Sequence, residues 1–156
     1  MANILIGASY EVSTRLNLAG FLEADGHQVT YVQEPSEMIA EINKANLPQI
    51  LLENLPRELK PRDYDIIICD TRLFYQGTNI TNLGERNRIR KKLFEERVID
   101  YLNYSSAKKI IIADIEVAKD IEELVRQKGF TQINEEGLFP KKIVEEISSI
   151  LKSKDN

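Results

Sequence analysis

The sequence predicts a three-layer α/β/α domain built on a five-stranded parallel sheet with the strand order 2-1-3-4-5. Along the 156 residues, short apolar and β-branched runs alternate with longer stretches in which apolar residues recur at helical spacing. Apolar runs without polar alternation are typical of parallel strands, because helices cover both faces of such a sheet. Strand–helix units joined by right-handed crossovers give an open, doubly wound sheet, for which this strand order is common.

Apolar runs predict the strands. They cover Asn3–Gly7, Gln28–Val32, Asp65–Asp70, Lys109–Ala113 and Phe130–Ile133. The third run contains Ile66, Ile67 and Ile68 in succession, which predicts a central strand buried on both faces. The fifth run is short, so the register of the residues that follow it is defined only to within a residue or two.

Amphipathic stretches between the strands predict the helices. They are Glu11–Ala24, a helix that begins at Pro35, Asn82–Asn103, Ile115–Lys128 and a last helix that begins at Pro140. Gly26 and Gly129 stand just past the first and fourth helices, where glycine commonly ends a helix. The additional segments 46–62 and 73–81 are predicted as a short helical turn with a loop and as a loop. We expect one domain over residues 1–152 and a disordered polar tail over 153–156.

Composition and charge exclude several classes of function. A net charge of −4 gives no electrostatic reason to expect a nucleic-acid or anionic-membrane partner. The single cysteine, Cys69, excludes an intramolecular disulfide and a multi-cysteine zinc site. The single histidine, His27, follows Asp25 and Gly26 in a turn, where nothing would orient it for a Ser-His-Asp or Cys-His mechanism. With no phosphate loop and no nucleophile–base pair in the sequence, we expect no enzyme. The start lacks a signal peptide and no stretch could span a bilayer, which predicts a cytoplasmic protein.

The candidate site lies at the carboxyl ends of the strands, where ligands of doubly wound sheets bind. The residues there are Gly7, Ala8, Ser9 and Tyr10, then Asp70, Thr71 and Arg72, then Ala113 and Asp114, and finally 134–137. Residues 7–9 lack the glycine spacing of a dinucleotide-binding loop. Asp70, Asp114 and Glu136 could converge as a rearranged cation site, although unpaired surface acids are the commoner arrangement.

Two phrases resemble bacterial response-regulator receiver domains. Residues 4–9 followed by Phe21–Val29 resemble the opening of those domains, and Tyr64–Leu73 resembles their third strand. That strand ends in the phospho-accepting aspartate, a position that Asp70 occupies by this resemblance. The resemblance covers the whole chain in element order and implies a flavodoxin-like, receiver-like fold.

The chain departs from the family at the other chemical positions. Receivers bind Mg²⁺ through an acidic pair after the first strand, and use a serine or threonine after the fourth strand and a lysine after the fifth. Here Ala8 and Ser9 replace the acidic pair, Ala113 occupies the switch position, and Glu136 lies in the lysine-equivalent region. One carboxylate and waters hold Mg²⁺ poorly. The resemblance therefore implies no firm cofactor, and a Mg²⁺ ion only weakly bound at Asp70 and Asp114.

A basic cluster follows on the long third helix. Its members are Arg86, Arg88, Arg90, Lys91 and Lys92, with Glu95 and Glu96 after them. A solvated face with the pairs Lys91–Glu95 and Lys92–Glu96 is the simpler interpretation. The alternative is an interaction surface for an acidic partner, made by Arg86, Arg90, Lys91, Tyr101 and Tyr104.

Three hypotheses for function follow. The first is a stand-alone pseudo-receiver that acts by protein–protein contact without efficient phosphorylation. The second is a divergent response regulator of a two-component phosphorelay, phosphorylated on Asp70, and the third is a small cofactor- or nucleotide-binding α/β protein. The resemblance implies a histidine kinase or a downstream signalling protein as partner, and allows a homodimer through the face of the fourth and fifth strands. Because no output segment follows the last helix, we expect the output to pass through another chain.

Overall fold

The structure, a computed structural model, describes residues 2–9, 17–44, 54, 56, 64–74, 83–99, 102, 105–115, 117–135 and 140–154. Its strands are β1 (Asn3–Gly7), β2 (Gln28–Val32), β3 (Ile66–Asp70), β4 (Lys108–Asp114) and β5 (Thr131–Glu135). All pairings are parallel, and the strands form one sheet in the order β2-β1-β3-β4-β5. The predicted fold class and strand order are confirmed.

Helices connect the strands in the predicted order. They are α1 (Leu18–Ala24), α2 (Pro35–Lys44), α3 (Leu83–Leu93), α4 (Ala118–Gln127) and α5 (Pro140–Lys154). A 3₁₀ turn, Thr71–Phe74, follows β3, and a π-helical segment, Phe94–Ile99, continues α3. The helix α5 includes Ser153 and Lys154, which the sequence assigned to a disordered tail. Main-chain hydrogen bonding continues past the buried Leu151, so the helix ends later than side-chain polarity suggested.

The apolar residues form two cores, one on each face of the sheet. Successive strand residues point to opposite faces, so the isoleucines of β3 divide between them. Ile66 and Ile68 belong to the cluster beneath α1 and α5. Ile67 belongs to the cluster beneath α2, the π-helical segment and α4, together with the fully buried Phe94. Every residue of β3 is buried, which confirms that this strand is central.

Two glycines end helices as predicted. Gly26 follows α1 with φ 91° and Gly129 follows α4 with φ 74°, a region that side chains other than glycine rarely adopt. The Gly129 N–H donates to the Arg126 carbonyl and the Phe130 N–H donates to the Val125 carbonyl, both at 3.0 Å. This pair of bonds satisfies carbonyls of the last turn of α4 and turns the chain directly into β5.

The strand β5 extends further than its apolar run predicted. It continues through Asn134 to Glu135, which pairs in register with Asp114 at the end of β4. Polar side chains at these two positions looked like the start of a loop, but the main chain keeps its ladder with β4. Glu135 therefore lies at the carboxyl edge of the sheet.

Several expectations fall on residues outside those described. Apart from 54 and 56, the segment 46–62 lies outside them, as do residues 75–81 of the segment 73–81. Within the described ranges, no helix has the length and apolar character needed to cross a membrane.

Candidate functional site

Asp70 ends the central strand, and the chain turns back over it at once. The residue is 1 % exposed, and among the described residues no other acidic residue is buried. The main-chain N–H of Arg72 donates to Asp70 Oδ1 at 2.9 Å, so the 3₁₀ turn is closed by the aspartate side chain itself. The predicted phospho-acceptor position is therefore part of the turn that follows it.

The Arg72 side chain binds both oxygens of Asp70. Its Nε donates to Oδ1 at 2.9 Å and its Nη2 donates to Oδ2 at 2.6 Å. Two parallel bonds between a guanidinium and a carboxylate are the strongest geometry available to such a pair. With the main-chain bond, Asp70 Oδ1 accepts two hydrogen bonds and Oδ2 accepts one.

Glu135 supplies a second carboxylate to the same guanidinium. Arg72 Nη2 also donates to Glu135 Oε2, and the Glu135 side chain is only 9 % exposed. This contact joins the end of β3 to the end of β5 across the intervening β4. Arg72, Asp70 and Glu135 together form what we call the edge triad, with two negative charges and one positive charge.

The charge of Arg72 is secured by its neighbours. Burial by itself would lower the pKa of the guanidinium, but the hydrogen bonds and charge of Asp70, followed by those of Glu135, raise it above its ordinary value. The arginine is consequently a permanent cation within the triad. It is the positive partner of the buried Asp70.

The loop after β1 is the position that the resemblance assigns to the acidic pair of receivers. Ala8 is 3 % exposed and belongs to the apolar cluster beneath α1 and α5. The Tyr31 hydroxyl donates to the Ala8 carbonyl at 2.9 Å and lies 3.3 Å from the Ser9 carbonyl. The Ala8 carbonyl thus has a protein donor at this edge, and the Ala8 side chain contributes a methyl group to the core instead of a carboxylate.

The end of β4 is held by a threonine of the turn. Ala113, the switch position by resemblance, is fully buried and has no group that could bond a phosphoryl oxygen. The next N–H, that of Asp114, donates to Thr71 Oγ1 at 3.2 Å, and Thr71 is itself fully buried. The end of β4 is therefore attached to the 3₁₀ turn by a neutral hydrogen bond.

The donor set at this edge does not suit Mg²⁺. That ion requires about six oxygen ligands in near-octahedral geometry, and carboxylates supply most of its protein ligands. Both oxygens of Asp70 are bound to Arg72, and Ala8 offers no carboxylate. Within the described part of the chain, no group of three histidine, cysteine, aspartate or glutamate side chains could hold a metal ion. Glu136 lies outside the described residues.

Cys69 and His27 have structural surroundings. Cys69 is fully buried within β3, as predicted, and burial, followed by the charge of Asp70, raises the pKa of its thiol well above the ordinary value. The Ala2 N–H donates to His27 Nδ1 at 3.2 Å, so the imidazole helps to hold the start of β1. Neither side chain adds a reactive group to the edge triad.

The basic cluster of α3 makes the intrahelical pairs that its spacing predicts. Lys91 Nζ lies 4.0 Å from Glu95 Oε1, and Lys92 Nζ lies 3.9 Å from Glu96 Oε1. All four side chains are well exposed. The predicted interaction surface also included Arg86 and Arg90, whose side chains lie outside the described set, as do Tyr101 and Tyr104.

The sequence indicates Arg72 and the 134–137 segment as edge residues but assigns neither a role. An acidic residue followed two positions later by arginine at a strand end was the available signal for a closed turn. Glu135 gave no signal, because its approach to Arg72 depends on where β5 ends.

Comparisons with known proteins agree with this architecture. A scan of protein-family models and a search of curated proteins give no match. Solved structures do match, among them a CheY-like receiver domain of Methanospirillum hungatei JF-1, with a TM-score of 0.56 and 17 % identity over 99 % of this chain and 97 % of that one. A two-component response regulator of Clostridium difficile gives a TM-score of 0.55 and 17 % identity over 100 % of both chains. A redox sensor of the streptococci, evolved from two-component response regulators, gives 0.55 and 18 % over 99 % of this chain and 53 % of that one. The chain has the fold of response-regulator receiver domains.

Proposed function

We propose that this chain is a receiver-like signalling module that acts by binding other proteins, without efficient phosphorylation and without a reaction of its own. The observation that supports this most strongly is the occupation of both Asp70 oxygens by Arg72. In this proposal Arg72 replaces the cation of a working receiver. The internal charge pair then keeps the edge in one arrangement.

Phosphoryl transfer to Asp70 would require several of these contacts to be given up. The attacking carboxylate oxygen must be free to approach phosphorus in line, and positive charge must compensate the three phosphoryl oxygens. Both oxygens of Asp70 face a guanidinium, and that guanidinium is also bound to Glu135. The Glu135 carboxylate would repel an incoming phosphate dianion at the same place.

The remaining function of such a domain is recognition. If the edge triad keeps its charge, the surface of the domain does not change with phosphorylation. Such a surface suits constitutive binding of a partner better than binding that is switched on and off. The partner class that follows from the fold is a histidine kinase or a downstream signalling protein, and self-association belongs to the same class of contact.

Redox sensing, the role of one structural neighbour, receives no support from the single cysteine. Cys69 is fully buried and its pKa is raised, so both the access and the thiolate that oxidation requires are suppressed. The proposed module therefore does not depend on Cys69 chemistry.

Phosphorylation is tested by incubating the chain with Mg²⁺ and acetyl phosphate and recording its intact mass. A receiver domain with a complete acidic pair, treated in parallel, is the positive control. We expect no gain of a phosphoryl group under conditions in which the control is modified. A stoichiometric gain that disappears in Asp70→Asn would refute the proposal and establish a divergent response regulator.

Small-ligand binding is tested by thermal shift against nucleotides, flavins and divalent metals. The proposal expects no saturable stabilisation by any of them. A saturable shift that is lost in Asp70→Asn or in Ser9→Ala would instead establish a ligand-binding function.

A further inference from the structure

A groove of about 490 Å³ lies between the C-terminal parts of α1 and α5, away from the edge triad. Its α1 wall is made by Phe21, Ala24 and Asp25. Its α5 wall is made by Val144, Glu145, Ser148, Ser149 and Lys152. Phe21 is 42 % exposed, and the only other large apolar side chain of the described residues with comparable exposure is Ile115.

The α5 wall has an internal symmetry of charge. Glu145 and Lys152 are both exposed and stand seven positions apart, which is about 10 Å along a helix axis. Between them lie Ser148 and Ser149, whose small side chains leave room for another helix to approach closely. This stripe is complementary to itself. When a copy of it is turned through 180°, the acid of each stripe faces the base of the other and the small residues meet in the middle.

We propose that a second copy of this chain covers the groove through a two-fold contact in which the α5 helices cross in antiparallel fashion. In such an isologous contact each copy presents the same patch, so residue pairs occur twice. Glu145 of each copy then faces Lys152 of the other, with the serines at the crossing point. Phe21 of each copy enters the groove of the other and loses its contact with water.

Asp25 is engaged within its own chain. It lies on the α1 wall, and the Ser148 hydroxyl of α5 donates to its Oδ2 at 3.5 Å, so this bond joins the two walls of the groove. The charge pairing between the copies therefore rests on Glu145 and Lys152.

The symmetric placement of Glu145 and Lys152 about the two serines favours a second copy over an unrelated helix as the occupant of the groove. A foreign helix would need only to match the groove, and nothing would require acid and base to lie symmetrically about a pair of small residues. A two-fold contact does require it, because any like-charge pair would also occur twice and repel twice.

The test is the oligomeric state of the full chain, measured by sedimentation velocity over a concentration series. We expect a reversible dimer whose dissociation constant rises at least tenfold in Lys152→Glu and in Phe21→Ser. The charge-swap variant E145K/K152E keeps opposite charges facing each other across the two-fold axis, so it is expected to dimerise like the unmodified chain. Circular dichroism spectra verify that each variant is folded.

Matched controls are Ile115→Ser for the apolar substitution and Lys119→Glu for the charge reversal, since both residues are exposed on other surfaces. Neither is expected to change the dissociation constant by more than about twofold. A chain that is monomeric at all concentrations would overturn the inference, and so would a dimer that tolerates Phe21→Ser and Lys152→Glu or a folded charge-swap variant that fails to associate. None of these outcomes affects the phosphorylation test, so the two proposals fail independently.

Discussion

Ion pairs occur in two contrasting settings in this molecule, the edge triad and the outer face of α3. In the triad, Arg72 is held between a carboxylate that is 1 % exposed and another that is 9 % exposed. Lys91 Nζ of α3 lies 4.0 Å from Glu95 Oε1 of the π-helical segment that continues it, with both side chains more than two-fifths exposed. Water screens the second pair and scarcely reaches the first, so similar chemistry has a structural effect in one place and almost none in the other.

The contrast shows how a buried Asp70 is accommodated in this fold. A buried aspartate at the end of the central strand needs a positive partner, or it destabilises the fold. Receivers can use a metal ion and a lysine for this purpose, as the resemblance implies. In this chain an arginine two residues away fills the requirement from within the same turn.

The largest expected effect is that of removing the arginine from the triad. Arg72→Met leaves Asp70 buried without its cation, and we expect a loss of about 3 kcal/mol in the free energy of unfolding, measured by urea denaturation. Arg72→Lys keeps the charge but not the two parallel bonds, so its free energy of unfolding should lie between those of Arg72→Met and the unmodified chain. A loss below about 1 kcal/mol in Arg72→Met would mean that the triad does not stabilise the fold.

A smaller effect is expected for the neutral bond at the same edge. Thr71→Val removes the acceptor of the Asp114 N–H at a fully buried position, which should lower the free energy of unfolding by about 1–3 kcal/mol. Ser105→Ala is the matched control, because its hydroxyl accepts from the Ala107 N–H at a partly exposed site. Equal losses of unfolding free energy in the two variants would show that burial at the edge does not increase the contribution of this hydrogen bond.

Burial also predicts a pH dependence for Cys69. Its pKa is higher in the folded chain than the ordinary 9.0, so the folded state keeps its proton after the unfolded state begins to lose it. Stability is thus fully present below about pH 9 and falls as the pH rises above that value, by at most about 1.4 kcal/mol per pH unit from this group. Urea denaturation from pH 8 to 10.5 should show a steeper decline for the unmodified chain than for Cys69→Ala. Parallel profiles would contradict the expected shift.

The smallest effect is expected on the exposed face of α3. Lys91→Ala removes a screened pair, so its free energy of unfolding should change by no more than about 0.5 kcal/mol. The measurement is the same urea titration, repeated at high salt, where any difference should shrink further. A loss comparable with that of Arg72→Met would remove the contrast between the two settings.

The fold could be predicted because its signals are local. The isoleucine run of β3, the helical spacing in α4 and the glycine after it each report on a few neighbouring residues. Burial and crossover rules then leave few ways to arrange five such units. The same locality explains the error at the end of α5, where polarity was taken as the end of the helix.

The candidate site could be predicted only in part. The sequence indicates Asp70 as a site residue because it ends a predicted strand, and Ala8 because it directly follows β1. The contact between Arg72 and Glu135 joins residues 63 positions apart and depends on two extra residues of β5. Neither polarity nor periodicity encodes that length. The edge triad therefore depends on where the strand ends lie in three dimensions, which local sequence signals do not indicate.

A double-mutant cycle measures whether Arg72 and Asp70 act as one unit. Arg72→Met and Asp70→Asn are made singly and together, and the free energy of unfolding of all four proteins is measured by urea denaturation. We expect the double variant to be more stable than the sum of the single losses implies, with a coupling energy of about 2 kcal/mol or more. A coupling energy below about 0.5 kcal/mol would contradict the claim that Arg72 is the internal cation of this site.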